Sequence, residues 1–191
     1  MRRLIKVELN YDNSMNYIKK NFFGVNEMSS RILETLSSVT SKFYVLLPQD
    51  ANRERIYNFA SGYVTSNVDK EISHYVVGKM KEKQCFCIFD DVNTSVLDNM
   101  HDSFYLEHYL YYKNEVYYTI KREILSEDVF FKCMIASDGI WHSLCVITKV
   151  ALDDLIGKEL SQDLIEKICK DAQLVMVGAY DGEGYIFWER N

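Results

Sequence analysis

The sequence predicts an α+β protein, with a mainly antiparallel sheet built from successive hairpins in the C-terminal half and packed by N-terminal helices and one late helix. Three observations carry this. Aromatic residues reach 14%, with 14 Tyr, 10 Phe and 2 Trp, and such rings fit a pleated, half-buried surface. Helix-period apolar spacing dominates before residue 84, whereas short aromatic or alternating runs between turn signals dominate after it. Pro48 is the sole proline and no Gly/Ser/Pro-rich linker occurs, so the expectation is a single domain over 1–191, helix-rich over 1–83 and hairpin-rich over 84–191. At 48% hydrophobic and 26% charged, the 191 residues can fold around a substantial core.

The first expected helix is EMSSRILETLSS, Glu27 to Ser38, where Met28, Ile32, Leu33 and Leu36 fall near helical spacing. KFYVLLP from Lys42 reads as a short buried strand stopped at Pro48. Asp50 is placed to cap a helix reaching Ala60, with Gly62 as terminator. After Asn67, VDKEISHYVVGKMKEK puts Val68, Ile72, Tyr75, Val76 and Met80 on one stripe of a further helix. CFCIF, Cys85 to Phe89, is a compact apolar strand.

Beyond Asp90 an acidic stretch precedes three expected hairpins. FYLEHYLYY and VYYTIKRE flank Lys113-Asn114-Glu115. VFFKCMIA and WHSLCVITK flank Ser137-Asp138-Gly139-Ile140, and Asp-Gly is a strong two-residue turn signal. Centring that turn on Asp138 and Gly139 sets Ile135 against His142, Cys133 against Leu144 and Phe131 against Val146, giving one apolar face and one wetter face with Lys132, Ser143 and Lys149. A Ser161 cap then opens a helix whose Leu164, Ile165, Ile168 and Cys169 face inward. LVMVGAY and YIFWER close the chain. A four-residue DGEG loop pairs Tyr180 with Tyr185 and Gly178 with Phe187, and puts Val175, Val177 and Ala179 on one face with Ile186 and Trp188. Asp181 and Glu183 then form a solvated tip.

Charge narrows the partners. The net charge is −6, yet residues 1–31 hold six basic groups and three acidic ones, which leaves −9 for the rest. An acidic body disfavours nucleic acid, whose phosphates demand Lys and Arg, and suits a cationic partner. No run of 18 apolar residues is present, so no membrane span is expected. Lys6 and Glu8 interrupt the opening MRRLIKVELNYDNS before it can serve as a signal peptide. Cys85, Cys87, Cys133, Cys145 and Cys169 are odd in number and set in apolar contexts, which fits free thiols in a cytoplasmic protein.

Chemistry-bearing motifs are sparse. Cys85 and Cys87 share a strand face, but no second Cys pair or His pair completes a zinc set. His74, His101, His108 and His142 are scattered. The glycines around Asp181 match no phosphate-binding loop, and YIFW after them is strand-like. Asp138, His142 and Cys145 cluster in sequence, but the hairpin register sends His142 and Cys145 to opposite faces. No cofactor, metal or catalytic residue is therefore assigned.

Two features remain. Asp90, Asp91, Asp98 and Asp102 form an acidic segment free of Lys and Arg, and Tyr105, Tyr109, Tyr111, Tyr112, Tyr117 and Tyr118 crowd the hairpin that follows. Tyrosines supply large rigid contact area at interfaces, and carboxylates steer basic partners. The resulting expectation is a non-enzymatic binding protein that occludes a basic protein, most concretely an immunity or inhibitor protein neutralising a toxin or nuclease. A homo-oligomer is compatible with this. The alternative is a small enzyme or nucleotide-binding protein with a dispersed site, for which His142, Asp138 and Glu183 are the polar candidates.

Overall fold

The computed structural model describes residues 3–39, 41–49, 69–93, 95, 109–138, 144–179 and 184–191. Eight strands among them form one sheet in the order β1-β2-β8-β7-β6-β3-β5-β4, every neighbouring pair antiparallel. They are β1 (Leu4–Glu8), β2 (Ser41–Pro48), β3 (Phe86–Phe89), β4 (Tyr109–Tyr112), β5 (Glu115–Thr119), β6 (Leu144–Thr148), β7 (Ala172–Ala179) and β8 (Gly184–Arg190). The helices are α1 (Tyr11–Phe22), α2 (Glu27–Ser38), α3 (Asp69–Lys83), α4 (Glu127–Asp138) and α5 (Gln162–Lys170). The α+β class stands, with most strands in the C-terminal half.

Helices cover both faces. Met15, Ile18 and Phe22 of α1, Ile32 and Leu36 of α2, and Ile165 and Ile168 of α5 pack on Phe43, Val146, Val175, Ile186 and Trp188. Ile72, Val76 and Met80 of α3, with Phe130, Cys133 and Met134 of α4, pack on Cys145, Ile147, Met176 and Phe187 from the other side. β6 is consequently buried at all five positions. The expected wetter face of the sheet is corrected accordingly: alternate residues enter two different cores.

The helix starts follow their caps. Asn10 Oδ1 accepts from Asn13 N–H at 3.0 Å to open α1. At α2, Asn26 Oδ1 accepts from Ser29 N–H at 2.8 Å while Ser29 Oγ accepts from Asn26 N–H at 3.1 Å, a reciprocal capping box. Ser161 Oγ accepts from Leu164 N–H at 3.3 Å, as its position predicts, and Ile165, Ile168 and Cys169 are buried below it. Leu164 packs at the margin of the same core, partly buried.

The main correction concerns residues 127–149. The expected hairpin arm VFFKCMIA is helix α4. Ser126 Oγ accepts from Val129 N–H at 3.2 Å, and Glu127 and Asp128 occupy the first turn. Val129, Phe130, Cys133 and Met134 then fall on one helical stripe, and Lys132 reaches Asp128 one turn back at 3.2 Å. The proposed Cys133–Leu144 and Phe131–Val146 pairs do not form. Leu144 pairs with Val177, and Val146 lies between Ile88 and Val175. His142 and the Asp-Gly turn beyond Asp138 lie outside the described residues, as do the expected 50–60 helix and Asp181 and Glu183.

The closing strands pair with a smaller correction. Gly178 faces Tyr185 instead of Phe187, and Ala179 faces Gly184. This is a two-residue shift from the expected register. Because side chains alternate with period two, the shift leaves the faces intact, and Val175, Val177, Ile186 and Trp188 share one core. β1 and α1 are further elements that the opening residues form.

Candidate functional site

The tyrosine hairpin is positioned from within. β4 and β5 pair Tyr109 with Tyr118, Leu110 with Tyr117, Tyr111 with Val116 and Tyr112 with Glu115 across the Lys113-Asn114 turn. Lys113 takes a positive φ of 52° there. Opposed residues share a face, so Leu110, Tyr112 and Tyr117 enter the core against α1, α2 and α5. Tyr117 is 0% exposed and Tyr112 3%. The phenol of Tyr117 donates to Glu115 Oε2 and accepts from Met28 N–H at 3.3 Å. The Glu115 carboxylate also accepts from Glu27 N–H at 3.0 and 3.2 Å. A carboxylate thus sits at the N-terminus of α2, where the helix dipole favours it, and ties the hairpin to the helix.

The opposite face carries Tyr109, Tyr111, Val116 and Tyr118. The three tyrosines are half-buried and Val116 is exposed. Tyr109 meets Tyr118 edge-on, with centroids 5.3 Å apart at 71°, and lies 6.2 Å from Tyr111. The edge-on pair adds about 0.5–1.5 kcal/mol beyond its burial, and Tyr111, tilted at 50° to Tyr109, completes a cluster of three rings.

The acidic residues divide. Tyr118 pairs with Phe89, so Asp91, two residues beyond, leaves β3 on the tyrosine side. It is exposed, its Oδ1 accepts from Val92 N–H at 2.8 Å, and its charge joins burial in raising the Tyr118 phenol above its ordinary pKa. Asp90 does not belong to a surface patch, and that expectation is corrected. It is 6% exposed, accepts from Leu144 N–H at 2.7 Å, and donates its own N–H to Leu144 O at 3.0 Å. Burial, against the Leu144 hydrogen bond, pushes its carboxyl up to about 8. Tyr112 and Tyr117 are likewise core residues, whereas Asp98, Asp102 and Tyr105 lie outside the described residues. The structure therefore joins Asp91, Tyr109, Tyr111 and Tyr118.

Among the described residues no group of three or more His, Cys, Asp or Glu is arranged to hold a metal ion. All five cysteines are free and buried. Burial raises the thiols of Cys87 and Cys169 to about 12 and that of Cys145 well above its ordinary value, the opposite of nucleophile activation. No helix among the described residues is long and apolar enough to cross a membrane.

A second polar constellation escaped the sequence reading. Glu189 of β8 is 15% exposed and accepts from Lys6 of β1, while Lys79 and Lys83 of α3 stand 3.4 and 3.5 Å from its Oε1. The phenols of Tyr44 and Tyr75 donate to its Oε2 at 3.2 and 3.4 Å. Burial alone would raise this carboxyl, but the Lys6 hydrogen bond and the three ammonium charges outweigh it and hold Glu189 at about 2. Sequence separations of more than 100 residues hide the grouping. The faint signal is charge inside otherwise apolar runs, Lys6 in LIKVE and Glu189 in YIFWER.

No protein-family model matches this chain, and no curated protein or solved structure matches it either.

Proposed function

We propose that this is a binding protein that covers part of a basic partner protein with the outer face of the β4–β5 hairpin. The observation that carries the reading is the cluster of Tyr109, Tyr111 and Tyr118 beside the exposed Asp91. Ring faces attract Lys and Arg side chains, and a neighbouring carboxylate adds charge complementarity. The hairpin is held by α2 from behind, so little ordering entropy opposes docking. In its most concrete form the protein is an inhibitor of immunity type that occludes the cationic cleft of a toxin or nuclease. The net charge of −6 supports that form by favouring encounter with a cation-rich surface.

The test is affinity capture by the whole tagged chain, followed by titration of the captured protein against point variants. A stoichiometric basic protein is expected. Tyr111→Ala should weaken it by about 1–2 kcal/mol, roughly tenfold or more, as for an interface anchor. Asp91→Lys should slow association and reduce its salt dependence. Equal affinity for both variants, with unchanged thermal stability, sinks the hairpin as the contact surface. Capture of a nucleotide or metabolite with no protein would instead favour a dispersed small-molecule site.

A further inference from the structure

The strongest charge anomaly lies at the other end of the sheet from the tyrosine hairpin. In a chain of net charge −6, Lys6, Lys79 and Lys83 converge on the single carboxylate of Glu189. One lysine neutralises that carboxylate, so the other two leave a local surplus of +2. The C-terminal end of α3 offsets only about half a charge. Clustering like charges is unfavourable unless something else uses them.

The donors are available. The lysine side chains are 46%, 30% and 30% exposed, against 15% for Glu189. Each ammonium carries three N–H groups, and the contact with Glu189 occupies only part of that capacity. Lys6 is steered by rings as well, with Nζ 4.4 Å from the Tyr44 centroid and 5.8 Å from that of Tyr75. Beside the cluster opens a groove of about 410 Å³, lined by Lys6, Lys42, Tyr44, Glu189 and Arg190 among others; Lys6 and Glu189 belong to both groove and cluster, whereas Lys79 and Lys83 belong to the cluster alone. That volume suits a small ligand. Glu8 also lines it, and Lys42 is paired with Glu8.

We propose that the lysine cluster at the edge of this groove binds a phosphate-bearing small molecule. Lys6, Lys79 and Lys83 hold the phosphate, and Glu189 is the internal anion that occupies them until the ligand's charge replaces it. The groove, which shares Lys6 and Glu189 with the cluster, takes the rest of the ligand. A phosphate monoester carries about −1.5 to −2 at neutral pH, which matches the surplus. Its tetrahedral oxygens can be met by ammonium groups arriving from a strand and from two successive turns of a helix. A planar carboxylate offers two oxygens and half the charge. Lysine binds phosphate as a point charge without needing a planar fork.

The probe is inorganic pyrophosphate, titrated calorimetrically into the full chain at about 50 mM salt, where screening is moderate. One pyrophosphate per chain should bind saturably. The pair Lys79→Ala with Lys83→Ala should weaken it by about tenfold or more, whereas Lys19→Ala with Lys20→Ala, exposed lysines of α1, should leave it unchanged. Glu189→Gln removes the competing internal anion, so pyrophosphate should bind this variant more tightly and raise its melting temperature more than that of the parent. Absence of saturable binding overturns the proposal, as does equal weakening by the two lysine pairs. Should Glu189→Gln not fold, the lysine pairs still decide. Tyr111→Ala is expected to leave pyrophosphate binding intact, which separates this site from the hairpin surface.

Discussion

Glu189→Gln tests the electrostatics of the fold directly. The carboxyl sits at about 2 in the folded protein against an ordinary 4.5. A depressed folded-state pKa stabilises the protein above the unfolded value, and that contribution is lost as pH falls from 4.5 through about 2. At about 1.4 kcal/mol per pH unit the difference amounts to about 3 kcal/mol. The three lysines are 30–46% exposed, so solvent screening trims this to about 2 kcal/mol. Denaturant titrations of both proteins should therefore differ by about 2 kcal/mol at neutral pH, equivalent to about 4–8 °C in Tm for a chain of this size. At about pH 2 the parent is itself half protonated at this site, so the gap should shrink toward zero. An unchanged midpoint at neutral pH refutes the reading that the ion pairs of Glu189 with Lys6, Lys79 and Lys83 stabilise the fold. A gap that persists undiminished in acid would mean that packing, not charge, is lost.

Three further outcomes follow from buried groups and caps. Asp90 is raised to about 8, so the folded protein holds a proton that the unfolded chain releases, and stability falls as pH climbs from about 4 to 8. Asp90→Asn removes that dependence, and its stability relative to the parent should grow by up to about 1.4 kcal/mol per pH unit across this range in chemical denaturation. Ser126→Ala should cost about 1 kcal/mol and some helical circular dichroism, because Ser126 caps α4; no effect would contradict the cap. Ellman's reagent should label none of the five buried thiols in the native state and all of them in denaturant, and rapid native labelling would contradict their burial.

Where local chemistry and tertiary need agree, the elements are legible from residues alone. α2 and α5 carry caps and an apolar stripe, β7 and β8 carry the right parity, and the turn of the tyrosine hairpin falls at Lys113-Asn114. α4 is the instructive failure. VFFKCMIA contains β-formers beside an Asp-Gly pair, so short-range turn chemistry argues for a hairpin. The deciding signal is Ser126 followed by Glu127 and Asp128, a helix start, together with Val129, Phe130, Cys133 and Met134 at helical spacing. The helix wins because β6 is buried on both faces and needs a covering layer on the α3 side. For the candidate site, the tyrosine run pointed to the hairpin but not to which rings face out. That division depends on the β4–β5 register and on α1 and α2 lying beneath one face. Asp90 and Asp91 are adjacent in sequence, yet only β3 pairing with β5 and β6 shows that one is a buried hydrogen-bond acceptor and the other a surface charge.

The ends of the sheet explain why side chains, not strand edges, are the contact surfaces proposed here. At β4 the outer backbone is already used: Gly157 N–H donates to Tyr109 O at 2.7 Å, Tyr111 N–H to Lys158 O at 3.2 Å, and Leu160 N–H to Tyr111 O at 2.6 Å. A partner strand cannot add there without displacing residues 157–160. At β1 the geometry differs. Gln49 N–H donates to Arg3 O and Leu9 N–H to Phe43 O, so the odd-numbered residues between them face β2. The backbone groups of Leu4, Lys6 and Glu8 therefore point outward. Lys6 and Glu8 are charged, and each is drawn into an ion pair, with Glu189 and Lys42 respectively. Charged residues on a short edge strand oppose further pairing. The same Lys6 that guards this edge also supplies part of the cationic groove. Edge protection and anion binding thus place the same demand on position 6, and Lys6→Ala should both weaken pyrophosphate binding and raise self-association measured by sedimentation. If binding falls while the protein stays as monodisperse as the parent, the edge-guarding role is excluded and only the groove explains the lysine.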